Sequence, residues 1–84
     1  MIVKDTLTLN VPNRVNDETM NVAIDPEFRG RYLEIQFTFH GFKRAAIVNP
    51  ARRDKLDAFE WVIELASTWL LNDFGYTNCR ITTA

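Results

Sequence analysis

Arg31-Tyr32-Leu33-Glu34-Ile35-Gln36-Phe37-Thr38-Phe39-His40-Gly41-Phe42 is the stretch that decides how this chain folds. Leu33, Ile35, Phe37 and Phe39 alternate with Glu34, Gln36 and Thr38, the period of a strand with one face in a core and the other in water. His40-Gly41 interrupts the pattern between two phenylalanines. Glycine tolerates the positive φ that tight turns demand, so the strand enters a hairpin there. The returning strand, Phe42 to Val48, leaves two registers open. A two-residue loop sets Phe42, Ala46 and Val48 beside the core face but directs Arg44 inward, whereas a longer or bulged turn buries Ala45 and Ile47.

Upstream, Val3, Leu7, Leu9 and Val11 alternate with Lys4, Thr6, Thr8 and Asn10, which predicts a first strand from Ile2 to Val11. Pro12 to Glu18 has a loop composition. Met20, Val22 and Ile24 predict a short second strand that ends at Asp25-Pro26. Downstream, Asn49-Pro50 is a helix start: asparagine accepts from orphan amides at the N-cap, and proline at the first helical position gives up a donor that lacks a partner there. The helix is expected over about residues 50–73, with Gly75 as its left-handed stop. Tyr76 to Thr83 alternates again, with Cys79 and Ile81 on one face, and predicts a C-terminal return strand. The fold class is therefore α+β: one domain, residues 1–84, with an antiparallel sheet of four or five strands packed on one long helix.

The helix carries more apolar surface than one sheet face requires. At 100° per residue, Leu56, Phe59, Ile63, Ala66, Leu70 and Phe74 form a stripe expected to pack on the sheet, while Asp57, Glu60, Glu64 and Ser67 lie opposite. Ala58, Val62, Leu65, Trp69 and Trp61 then extend the apolar arc to about 220°, against the 100° or so that packing on a sheet needs. Either the N-terminal segment, through Val11, Val15 or Phe28, covers this flank, or Trp61, Leu65 and part of Trp69 form an exposed patch that docks a partner or a second copy. Tryptophan suits docking because it joins a large apolar area to one polar handle.

A formal net charge of −1 conceals an uneven distribution: from Arg29 to Lys55 there are seven basic residues against two acidic ones. Lys43, Arg44, Arg52, Arg53 and Lys55 are candidates to hold an anion or an acidic partner, the last three in the first turns of the helix near its free amides. Solvated pairing with Asp54, Asp57 or the acidic N-terminal segment is the simpler account, since cations there cost only about a few tenths of a kcal/mol. With Arg29 and Arg31 the same residues could serve a nucleic-acid-binding module, although a pI of about 5.7 is low for that class and Tyr32 is a lone aromatic on its face.

Catalysis finds little support in the residue types. His40 is the single histidine and sits on a turn, and the single cysteine, Cys79, falls on the apolar side of a strand. Glu60 and Glu64 share a helix face without a further ligand, and the three glycines stand at separate turns rather than in a phosphate loop. No cofactor is implied. One cysteine permits no internal disulfide, Met1 to Asp5 lacks the apolar stretch of a signal peptide, and no run approaches a membrane span, so the expected location is cytoplasmic.

The expectation for function is a non-catalytic protein-binding domain, an inhibitor, adaptor or small subunit, docking through Trp61, Leu65 and Trp69. A nucleic-acid-binding module and a homodimeric domain are the alternatives. The order of sheet, long helix and return strand resembles that of many small phage-encoded proteins that inhibit host enzymes or defence complexes, a resemblance of element order with no shared motif.

Overall fold

A computed structural model describes residues 5–49, 58–77 and 79–84. Five antiparallel strands form one open sheet: β1 (Asp5–Pro12), β2 (Asp17–Phe28), β3 (Tyr32–Phe39), β4 (Phe42–Val48) and β5 (Thr82–Thr83), in the order β4-β3-β2-β1-β5. Helix α1 (Ala58–Phe74) packs on one face. The first four strands are a meander, so each turn sets the register of the next pair. The chain then passes through α1 and returns beside β1, where Leu9 faces Thr83 and the Ala84 amide donates to the Thr8 carbonyl at 2.9 Å.

The strands fold as their alternation dictates, with differences at the ends. Phe39 pairs with Phe42 and Phe37 with Arg44, so the hairpin loop is the two-residue one. His40 and Gly41 both have positive φ, 52° and 80°, the backbone of the type I′ turn that matches strand twist. The alternative register, with Ala45 and Ile47 buried, is not formed, and Arg44 escapes burial because β4 is the edge strand and α1 leaves its outer side open. The second strand is longer than its alternation indicates. It begins at Asp17, leaving only 13–16 for the turn, and runs past Pro26 because one extra residue is accommodated between Asp25 and Phe28 as a bulge, which absorbs the missing proline donor. The return strand is correspondingly shorter, reduced to Thr82–Thr83, although Cys79 and Ile81 still pack against the core.

Leu9, Val11, Met20, Val22, Leu33, Ile35, Phe37, Phe39 and Val48 supply the sheet's share of the core, and Val62, Ala66, Trp69 and Leu70 supply the helix's. Each full-size apolar side chain so buried contributes about 1.5–3 kcal/mol of transfer free energy. The buried line on α1 is rotated by roughly 50° from the expected stripe, at 100° per residue. Phe59, placed on the sheet by the sequence pattern, is 45% exposed, while Val62 and Trp69, placed on the flank, are buried. Trp69 drives this rotation, since its ring packs at 6.1 Å from Phe37 and edge-on at 5.2 Å from Phe74. Gly75, with φ 71°, ends the helix as expected, and the Tyr76 amide returns to the Leu70 carbonyl at 3.1 Å. The expected helix start at Asn49-Pro50, with Leu56, lies outside the described residues apart from Asn49 itself.

Candidate docking surface

Strand β4 lies at one margin of the sheet with β3 as its one strand neighbour among the described residues. In a two-residue hairpin the residues flanking the loop exchange both backbone hydrogen bonds, and bonded and non-bonded pairs alternate from there. Phe42, Arg44, Ala46 and Val48 therefore direct their amides and carbonyls at β3. Lys43, Ala45 and Ile47 direct theirs away from the sheet. The strand also exposes apolar side chains: Phe42 is 63% and Ile47 54% exposed, and Ala45 is exposed between them, with Lys43 and Arg44 the exposed charges. An edge with unpaired outward backbone groups and exposed apolar side chains is a template for another strand.

The apolar flank of α1 overhangs this edge. Leu65, Thr68, Trp69, Asn72 and Asp73 on the helix and Phe37, Arg44, Ala45 and Ala46 on the sheet enclose a trough of about 280 Å³. A second hollow of about 340 Å³, bordered by Phe42, Lys43, Arg44, Trp69, Asp73 and Phe74, also lies between β4 and the helix. The excess apolar arc of the helix thus has a structural account, since the flank reaches over a strand that it does not fully cover.

The three aromatic and aliphatic anchors expected on that flank divide. Leu65 is half-buried and borders the trough. Trp69 is 7% exposed, so the expectation that it offers an exposed docking ring is corrected: it is a core residue whose edge floors the trough. Trp61 is half-buried against the core, and its indole Nε1 is buried without an acceptor among the described residues. Neither ring is covered by Val15, which stands exposed in the β1–β2 turn.

The described basic residues are not brought together. Lys43 and Arg44 follow the β3–β4 turn, while Arg29 and Arg31 lie at the β2–β3 turn, separated by the length of β3, about 23 Å for eight residues. The two arginines lie over neighbouring rings, Arg29 at 5.1 Å from the centroid of Phe28 and Arg31 at 4.9 Å from that of Tyr32. Arg52, Arg53 and Lys55 lie outside the described residues.

A polar cluster that the sequence pattern does not reveal sits at the other end of the molecule's long hairpin. Glu18, at the start of β2, accepts from Tyr76 Oη at 2.7 Å and from Asn13 Nδ2, and its second oxygen lies against His40 Nε2. The Tyr76 hydroxyl above all, with His40 and Asn13, holds the Glu18 carboxyl below its ordinary range, against partial desolvation. The same bond, with burial and the carboxylate charge, pushes the Tyr76 hydroxyl up. Cys79 donates to the Pro12 carbonyl at 3.3 Å, and burial followed by the Glu18 charge raises its thiol, the opposite of what a nucleophilic cysteine needs. Glu18, Tyr76 and Cys79 border an open hollow of about 590 Å³ with the β1–β2 turn. Glu18, Tyr76 and His40 come from three separate segments, so only chain order could have hinted at their meeting.

Comparison with protein-family models, with curated proteins and with solved structures finds no match for this chain. Among the described residues no helix is long and apolar enough to cross a membrane, and no three histidine, cysteine, aspartate or glutamate side chains are grouped as metal ligands would be.

Proposed function

We propose that this chain is a non-catalytic protein-binding domain that takes an extended strand along the edge of β4, with Leu65 of α1 forming one wall of the groove that receives its side chains and the edge of Trp69 supporting its floor. The observation that carries this reading is the exposure of Phe42, Ala45 and Ile47 on a strand whose outward backbone groups have no strand partner among the described residues. Backbone pairing would supply affinity, and the trough beside Leu65 would select the side chains that point toward the helix. The docking role foreseen for the helix flank is kept, with β4 added as the element that orients the partner and Trp69 reassigned to support. Roles as an inhibitor, an adaptor or a subunit are all compatible with such an edge.

Selection of random displayed peptides on the intact chain, compared with Ala45→Pro, tests the reading. Proline at 45 removes an amide that points away from the sheet and leaves the β3 ladder whole, so the variant should retain its circular dichroism spectrum. Enriched peptides should alternate apolar and polar residues and lose binding to Ala45→Pro and to Leu65→Lys. Peptides that bind wild type and Ala45→Pro equally, or no enrichment at all, would overturn it.

A further inference from the structure

We infer that the strand received by β4 is β4 of a second copy of this chain, paired antiparallel about a two-fold axis through Ala45. This rests on the reading of β4 as a docking edge and names its occupant. With the axis at Ala45, Ala45 faces its own copy, Lys43 faces Ile47 of the second copy, and Ile47 faces its Lys43. These are the three residues whose backbone groups point outward, so all three pairs close with about six intermolecular hydrogen bonds.

Side chains on the helix side agree with the same axis. Phe42 faces Val48 of the second copy, and Arg44 faces the small Ala46, which leaves room for the long side chain. No like charges stand directly opposite one another. An axis moved to Lys43 or Arg44 opposes two like charges, and an axis moved to Ala46 or Ile47 shortens the overlap or runs past the end of the strand. Charge and length therefore favour one register, which is what an isologous interface requires. The pairing covers Ile47 and removes the free β4 edge. One strand pair is a small interface, below about 1,200 Å² in total, so association should be weak and concentration-dependent.

Sedimentation of the intact chain across the micromolar range, with Ile47→Lys, Ile47→Glu and Ala45→Pro beside it, tests the inference. Wild type should approach the mass of two chains as concentration rises. Ile47→Lys opposes two ammonium groups at both symmetric positions and should weaken the dimer by about tenfold or more. Ile47→Glu opposes a carboxylate to Lys43 and should retain the dimer at low salt, loosening as salt is added. Ala45→Pro should be monomeric with an unchanged circular dichroism spectrum. A wild type that stays monomeric throughout overturns the inference while leaving the peptide-docking reading to its own test. Equal weakening by lysine and glutamate, or a dimer indifferent to Ala45→Pro, overturns the register and with it this inference.

Discussion

The Tyr76 hydroxyl donates to Glu18 Oε1 at 2.7 Å across 58 positions of sequence, tying the segment that follows the helix to the start of β2. Asn13 and His40 converge on the same carboxylate, so one acidic side chain joins the β1–β2 turn, the β3–β4 turn and the segment after α1. Strand β4 begins directly after His40-Gly41, and this polar clasp therefore anchors the turn from which it departs.

Replacing Tyr76 with phenylalanine should lower the urea midpoint at neutral pH, and the loss should shrink in acid. Glu18 has a depressed pKa in the folded chain, so its contribution is fully present above the ordinary carboxylate range and disappears as pH falls through the folded value. Urea titrations of both proteins at several pH values measure this directly. A difference that did not change between neutral and acidic pH would show that Tyr76 acts through packing alone.

Trp69 and Phe59 should separate core from surface on α1. Trp69→Ala opens a cavity beside Phe37 and Phe74 and should cost about 3–5 kcal/mol, much of the stability expected of a domain this small. Phe59→Ala, at a site 45% exposed, should cost no more than about 1.5 kcal/mol, half the value of full burial. Thermal unfolding of the two variants gives the ranking, and a reversal would restore the stripe that the helical spacing alone suggests.

Gly41 tests the hairpin turn. Its φ is 80° and a Cβ built there meets nothing within 4 Å, so alanine would be penalised by backbone conformation rather than by a clash. Gly41→Ala should destabilise by about 1–2 kcal/mol. Gly41→Asn should cost less, because asparagine enters the left-handed region more readily. Equal losses in chemical denaturation would argue against a type I′ turn.

The Cys79 thiol should react with iodoacetamide at mildly alkaline pH more slowly in the folded chain than in urea. Its pKa is raised by burial and by the Glu18 charge, which lowers the thiolate fraction available for attack. Rates followed by mass spectrometry decide the point: a folded-state rate equal to that in urea would mean that the segment around Cys79 opens readily, and a faster one would mean that its thiol is not raised.

What the sequence by itself determined is local. Alternation from Leu33 to Phe39 set the strand and its buried face, His40-Gly41 set the turn, and Gly75 set the helix end, because each depends on neighbours within a few residues. What only the tertiary structure decided is relational. Continuation of β2 past Pro26 needed a bulge opposite β3, the rotation of α1 needed the rings of Phe37 and Phe74 beside Trp69, and the escape of Arg44 needed β4 to be an edge. The meeting of Glu18, His40 and Tyr76 is of the same kind. Periodicity specifies which side of an element is apolar, whereas strand order and the depth of packing depend on groups far apart in the chain, and these govern which apolar surface is left exposed.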